Sequence, residues 1–146
     1  MSYTDKIHGL KMTDKFQALA KQYPRLFPDP EAWTIECHHE GWYKVIDDAM
    51  DLIDGELQCM PEELVAGIQV HQIKSKFGSL RIYLSQTTPY IRGCLSMAER
   101  CSSHICEICG NEGSLRSIQS WMATLCYVHY PIELARVDKE AINQTK

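Results

Sequence analysis

The chain has 146 residues, 45% of them hydrophobic, and a formal net charge of −4, which suits one compact domain, or a small domain with a metal-held appendage, and excludes two large independent domains. The acidic balance excludes a protein that coats nucleic acid by bulk electrostatics, because neutralising phosphates takes a surplus of Lys and Arg. No apolar run reaches the ~18 residues of a membrane span, and the opening MSYTDKIHGLKMTDK is polar where a secretion signal is apolar, so a soluble, cytoplasmic protein without membrane contact is expected.

The seven cysteines are an odd number without an export signal before them, which favours metal ligation and buried thiols over a disulfide framework. Charge is uneven. Residues 1–60 carry eleven acidic against six basic side chains, and residues 61–146 carry eight against nine. Any anion-binding surface belongs to the second half.

Taken in chain order, Thr13 is placed to cap a helix with Phe16, Leu19, Ala20 and Tyr23 on one face, and Pro24 stops it. YPRLFPDPEAW is a turn-rich connector whose aromatic residues are expected to pack. From about Glu40 to Asp54, Trp42, Val45, Ile46, Ala49, Met50 and Ile53 predict a second amphipathic helix ended by Gly55, with Asp47, Asp48, Asp51 and Asp54 on the solvated side.

LVAGIQVHQIKSKFGSLRIYLSQ predicts a hairpin broken at Lys76-Phe77-Gly78-Ser79, with Leu80, Ile82 and Leu84 on one face of the second strand and Arg81 and Tyr83 on the other. A third helix starts at Pro89 and carries Ile91, Cys94, Leu95, Ala98 and Cys101 to about Ser102, its cysteines serving as small core residues. The last ten or so residues are expected to fray.

Between this helix and the tail lies Cys106-x-x-Cys109, then sixteen residues, then Cys126-x-x-His129. A two-residue spacer bends the backbone so that two thiolates converge on one ion, and Gly110 gives the permissive backbone such a knuckle uses. Ser114–Ile118 and Trp121–Thr124 are short enough for a hairpin, and Thr124 is placed to cap a helix starting near Leu125. Cys126 and His129 would then share one face of its first turn. Knuckle, hairpin and ligand-bearing helix resemble a treble-clef zinc finger. A complete Cys3His set leaves no open position at the metal, so the zinc expected here is structural.

Cys101 and His104 are a second-ranked ligand pair, and a second zinc at Cys37, His38 and His39 is a further possibility. His38-x-Glu40 echoes half of a nucleotide-deaminase motif, but Ile105 replaces the proline expected before Cys106, and Cys126 and His129 would be left over. There is no phosphate-cradling Gly-rich loop, nucleophile elbow or HExxH helix.

Three words, ECHHEGW (36–42), KSKFGSLRIY (74–83) and CEICG with TLCYVH (106–129), together resemble a group of small zinc-binding proteins of phages and prophages, over about two thirds of the chain. The spacer between Cys37 and Gly41 is one residue longer than in that group. The resemblance implies a phage-type accessory protein acting in the host cytoplasm, and by analogy an inhibitor of host defence such as a CRISPR or restriction complex.

The middle word has a physical content of its own. Lys74 and Lys76 lie on one side of their strand and Arg81 faces them across the hairpin, beside the aromatic Tyr83. Such a face, with Arg116, fits an acidic protein partner or a nucleic-acid backbone.

The expected architecture is therefore α+β, with helices packed on a β-hairpin (1–103) and a treble-clef-like zinc module with its tail (104–146), packed as one domain. The expected function is binding without catalysis: zinc held by Cys106, Cys109, Cys126 and His129, and a host or phage protein complex met through Lys74, Lys76, Arg81, Tyr83 and Arg116. A nucleic-acid-binding module and a zinc-dependent deaminase or hydrolase are the alternatives.

Overall fold

The computed structural model describes residues 14–145, so the cap expected at Thr13 lies outside the described residues. α1 (Asp14–Gln22) buries Phe16 and Leu19 and ends before Pro24. The connector that follows is made of turns whose aromatic residues pack: Tyr23, Phe27 and Trp33 are buried, as is Leu26 between them, and the rings of Phe27 and Trp33 meet edge-on at 4.7 Å.

The connector ends in β1 (Thr34–Glu36), a three-residue strand with no signal in the sequence pattern. α2 runs Tyr43–Gln58 rather than from Glu40 to Asp54, burying Ile46, Ala49, Met50, Ile53 and Leu57 along one stripe. Gly55 does not end it. The helix continues because Leu57, one turn beyond Ile53, is 1% exposed in the core, and burying a leucine is worth about 1.5–3 kcal/mol against the ~1 kcal/mol cost of a helical glycine. The acidic side of α2 is also more engaged than a solvated face: Asp47 accepts a hydrogen bond from the Tyr23 hydroxyl at 2.6 Å and Asp54 pairs with Arg25 at 3.2 Å.

After a single-turn helix α3 (Glu62–Val65), β2 (Val70–Lys76) and β3 (Ser79–Leu84) pair antiparallel, with Lys74 opposite Arg81 and Ile73 opposite Ile82. Their two-residue turn has positive φ at both Phe77 (53°) and Gly78 (78°), the backbone that lets a two-residue hairpin follow the strand twist. β1 adds to β2 in parallel, giving a three-stranded sheet in the order β1-β2-β3.

α4 (Pro89–Ser102) is capped by Thr88, whose hydroxyl accepts the Ile91 amide at 3.2 Å. At its other end the buried Ser102 hydroxyl accepts the Leu80 amide at 2.9 Å and donates to the Glu99 carbonyl, fastening α4 to β3. The core lies between α1, α2, α4 and the inner face of the sheet, from Phe16 to Ala98.

The C-terminal third holds a second hairpin, β4 (Ser114–Ile118) paired antiparallel with β5 (Trp121–Leu125), and α5 (His129–Gln144). Thr124 therefore belongs to a strand, and α5 begins four residues after Leu125 rather than beside it. Most of the tail expected to fray belongs instead to α5, and Glu140 within it pairs with Arg136 one turn earlier at 3.0 Å. Among the described residues the architecture is α+β with five helices and two small sheets, and no helix is long and apolar enough to cross a membrane.

Candidate metal centre

The knuckle is a tight backbone loop: the Gly110 amide donates to the Cys106 carbonyl at 2.9 Å, and the Cys106 amide donates to the Asn111 carbonyl at 2.7 Å. This folding brings the side chains of Cys106 and Cys109 to the same side. β5 delivers Cys126 at its end, and the bend into α5 delivers His129 at the helix's first residue. Cys126 sits just before α5 and not within its first turn as expected.

The donor atoms of Cys106, Cys109, Cys126 and His129 all lie within 4.8 Å of one another and could hold a metal ion. Cys109 Sγ stands 3.8 Å from Cys126 Sγ, and His129 Nδ1 stands 3.7 Å from Cys106 Sγ and 3.2 Å from Cys126 Sγ. The sulfurs are too far apart for a disulfide, whose bond is about 2.05 Å. Hydrogen bonds from the amides of His129 and Val128 pull the Cys126 thiol down to about 6 against an opposing effect of burial, whereas burial pushes the Cys106 thiol up.

Among the described residues this is the one grouping of three or more such donors close enough to hold a metal. Cys101 and His104 do not join it, and Cys37, His38 and His39 do not form a second one. Cys37 is a half-buried thiol pushed up to about 12, by desolvation first and then by Glu107 and Glu36, so it stays protonated. Burial also lowers His38 and His39, the His39 effect being partly opposed by Glu133. Burial and then Glu133 push the carboxyl of Glu107, inside the knuckle, up to about 7, while the Thr124 amide opposes the rise.

What the sequence pattern did not reveal is how the cluster is fastened to the rest of the chain. Gly41 donates its amide to the Glu107 carbonyl at 3.0 Å, and a Cβ there would fall 2.2 Å from the Cys106 carbonyl oxygen, so no larger residue fits without moving the knuckle. The adjacent Trp42 donates its indole N–H to the Ile105 carbonyl at 2.8 Å. On the other side the buried Thr124 hydroxyl donates to the Gly78 carbonyl at 2.7 Å, while the Glu107 amide donates to the Thr124 carbonyl at 3.0 Å. The words ECHHEGW, KSKFGSLRIY and CEICG with TLCYVH thus meet in space around the knuckle. Their glycines were the available signal, since backbone approach this close admits nothing larger.

The predicted partner residues separate into two kinds. Lys74 and Tyr83 share the outer face of the sheet, the ammonium 5.9 Å from the ring centroid, and Lys76 lies exposed near the turn. The two arginines are committed inside the molecule: Arg81 pairs with Glu99 at 2.5 Å around the edge strand, and the Arg116 guanidinium sits 4.9 Å from the Tyr130 ring. Glu36 joins the same outer face through Gln72, at 3.2 Å. Phe77, which is not among the expected partner residues, is 75% exposed at the tip.

Compared with protein-family models, with curated proteins and with solved structures, the chain matches none.

Proposed function

We propose that the chain is a zinc-stabilised binding protein that acts through a protein partner. The observation that carries this is the convergence of three thiols and an imidazole, with no other such donor grouped with them among the described residues. In a tetrahedral zinc site with Zn–S of about 2.3 Å and Zn–N of about 2.0–2.1 Å, neighbouring donors stand roughly 3.6–3.8 Å apart. The separations of 3.8 and 3.7 Å fit that figure, and 3.2 Å falls slightly inside it. Soft thiolates with one imidazole select zinc over the hard cations, and the knuckle, hairpin and helix are laid out as in a treble clef. Four protein ligands complete the tetrahedron, so zinc here would staple the chain and leave no position for water or substrate.

The partner surface is the outer face of the β2–β3 hairpin and its tip: Lys74, Lys76, Tyr83 and the exposed Phe77. An exposed aromatic flanked by long cationic side chains is the composition of a protein–protein hot spot. With Arg81 and Arg116 tied to Glu99 and Tyr130, and Glu36 on the same face, too few cations remain for a phosphate backbone. A nucleic-acid contact stays the second reading, favoured by the Lys74–Tyr83 pair. The resemblance to phage accessory proteins extends the proposal to a host or phage complex as partner, a defence complex among them, met in the host cytoplasm.

The test combines elemental analysis, expected to give one zinc per chain, with co-purification from bacterial host lysate. A partner retained after nuclease treatment and lost on Phe77→Asp or Lys74→Glu supports the proposal. Capture abolished by nuclease, with salt-sensitive binding of a labelled single-stranded DNA, overturns it in favour of the second reading.

A further inference from the structure

β3 is an open edge of the three-stranded sheet: in the order β1-β2-β3 it has β2 on one side and, among the described residues, no strand on the other. The hydrogen bonds along it show which backbone groups that leaves. The Leu80 amide turns away from β2 to the Ser102 hydroxyl at 2.9 Å, and the Leu80 carbonyl accepts from the Arg81 guanidinium at 3.3 Å. The Ser85 amide turns the other way, to the Gln69 carbonyl at 2.9 Å. Because successive residues of a paired strand alternate in direction, the amides and carbonyls of Ile82 and Leu84 point outward as those of Leu80 do. No hydrogen bond among the described residues takes them up. An edge of this kind is a template for another extended chain.

A groove runs beside this edge, with α4 as its other wall. Arg92, Leu95, Ser96 and Glu99 line it together with residues 80–83, around a volume of about 240 Å³. Ser96 and Glu99 also line a second hollow of about 400 Å³, bounded by Arg100 and by the exposed side chains of Phe77 and Leu115. The two hollows therefore form one path along β3, apolar at the hairpin tip and cationic along α4. Of its charges, Glu99 is already paired with Arg81 at 2.5 Å. Arg92 makes a long hydrogen bond to the Thr87 hydroxyl at 3.4 Å, and neither it nor Arg100 enters an ion pair among the described residues. On a chain of net charge −4, this path has two guanidinium groups without a carboxylate.

We propose that this groove takes an extended acidic segment of a protein partner, which adds to the sheet as a further strand beside β3. Its backbone would bond to Ile82 and Leu84, its carboxylates would meet Arg92 and Arg100, and an apolar side chain would enter between Phe77 and Leu115. Main-chain bonds supply affinity in such strand addition, and the side-chain contacts supply specificity. Charge decides among the occupants. A second copy paired edge to edge would set these arginines against their own kind, and a nucleic-acid backbone offers phosphate acceptors where the edge presents alternating donors and acceptors. The inference rests on the reading that the chain acts through a protein partner, and it adds the edge of the hairpin and the chemistry of what docks there.

The test pans the full chain against a displayed library of random linear peptides of about twelve residues, ample to lie along the six-residue β3. Selected peptides are then synthesised and titrated by fluorescence polarisation. Acidic sequences carrying a large apolar residue are expected, with binding weakened at least about tenfold by Arg92→Glu. Lys21→Glu, the same change of charge at an exposed position of α1, should leave binding unchanged. Methylating the peptide amides one at a time should weaken binding at every second position and spare those between, because an added strand turns alternate amides to its neighbour. The Ile82 and Leu84 amide resonances should shift as the peptide saturates. Absence of any peptide binding below about 1 mM overturns the proposal, as do neutral or basic selected sequences and indifference to every methylation. Concentration-dependent shifts of Ile82 and Leu84 in the chain alone overturn it in favour of a second copy. The methylation series uses the wild-type chain and stands whether or not the variant folds. Partner capture from lysate that persists while the peptides fail would remove the groove and leave the protein-partner reading standing.

Discussion

The body from α1 to α4 and the segment from the knuckle to α5 are held by different physics. The body buries nineteen residues in one apolar cluster, among them Phe16, Trp42, Met50 and Ile73. The C-terminal segment buries five, of which two are the cysteines Cys106 and Cys126. A core that small cannot offset the ordering cost of some forty residues, which runs at roughly 1–2 kcal/mol each for the backbone alone. The segment therefore depends on two things outside its own apolar packing: the ion its four donors could hold, and the fastening of its knuckle to Gly41, Trp42 and Gly78.

Removing the metal is the sharpest way to break this comparison. Stripping it with a chelator, or replacing Cys126 with Ala, is expected to release the metal and to cost most of the segment's stability, because ligand binding and folding are one free energy in such sites. Hydrogen exchange should then show β4, β5 and α5 losing protection while α2 and α4 keep theirs. Loss of protection throughout would instead make the two regions one cooperative unit.

Gly41→Ala attacks the fastening from the body's side. The added methyl would lie 2.2 Å from the Cys106 carbonyl oxygen and 2.4 Å from the Glu107 carbonyl carbon, so backbone has to move, at an expected cost of about 3 kcal/mol read by urea denaturation. Metal affinity should fall with it, since the knuckle supplies two of the four donors. An Ala variant with unchanged midpoint and unchanged affinity would show that the knuckle does not lean on Gly41.

Thr124→Val attacks the opposite fastening with little change of shape. It removes the buried hydroxyl that donates to Gly78 and leaves that carbonyl without its partner, an expected loss of about 1–2 kcal/mol. Tyr23→Phe is the matching change within the body. The phenol donates to Asp47 at 2.6 Å, and burial, with Asp47 beside it, raises its pKa so that it stays protonated. Its removal is expected to cost about 1 kcal/mol and to leave metal content untouched, as measured by denaturation alongside elemental analysis.

Much of this was legible in the sequence, and the misses share a cause. The knuckle spacing, the apolar stripe of Ile46, Met50 and Ile53, and the Phe77-Gly78 turn are local patterns, and local patterns can be read from one chain. β1 was missed because three residues, Thr34–Glu36, carry no periodicity and are defined only by pairing with Gln72–Lys74. The contacts of Arg81 with Glu99 and of Arg116 with Tyr130 leave no mark in the sequence pattern, because these partners are distant in sequence. The helical end of α5, expected to fray over the last ten or so residues, does have a local signal: Arg136 stands three and four residues from Glu133 and Glu140, a spacing that supports helix. Thr124 was assigned to a cap because Thr suits caps, whereas its hydroxyl serves a carbonyl forty-six residues away.

Gly55 makes the smallest prediction and tests the body alone. Local propensity says that a glycine ends a helix, yet α2 passes through it to bury Leu57. A Cβ at this position would meet nothing within 4 Å, and its φ is not in the left-handed region. Nothing in the folded state therefore requires glycine there, and its extra freedom stabilises only the unfolded chain. Gly55→Ala should raise stability by about 0.5–1 kcal/mol, seen as a higher denaturation midpoint for the body and no change in metal affinity. A gain that also protected β4 and β5 from exchange would mean that the stability of α2 is transmitted through Trp42 to the knuckle. An absence of any gain would place a cost on the solvent side of α2 that its open surroundings do not reveal.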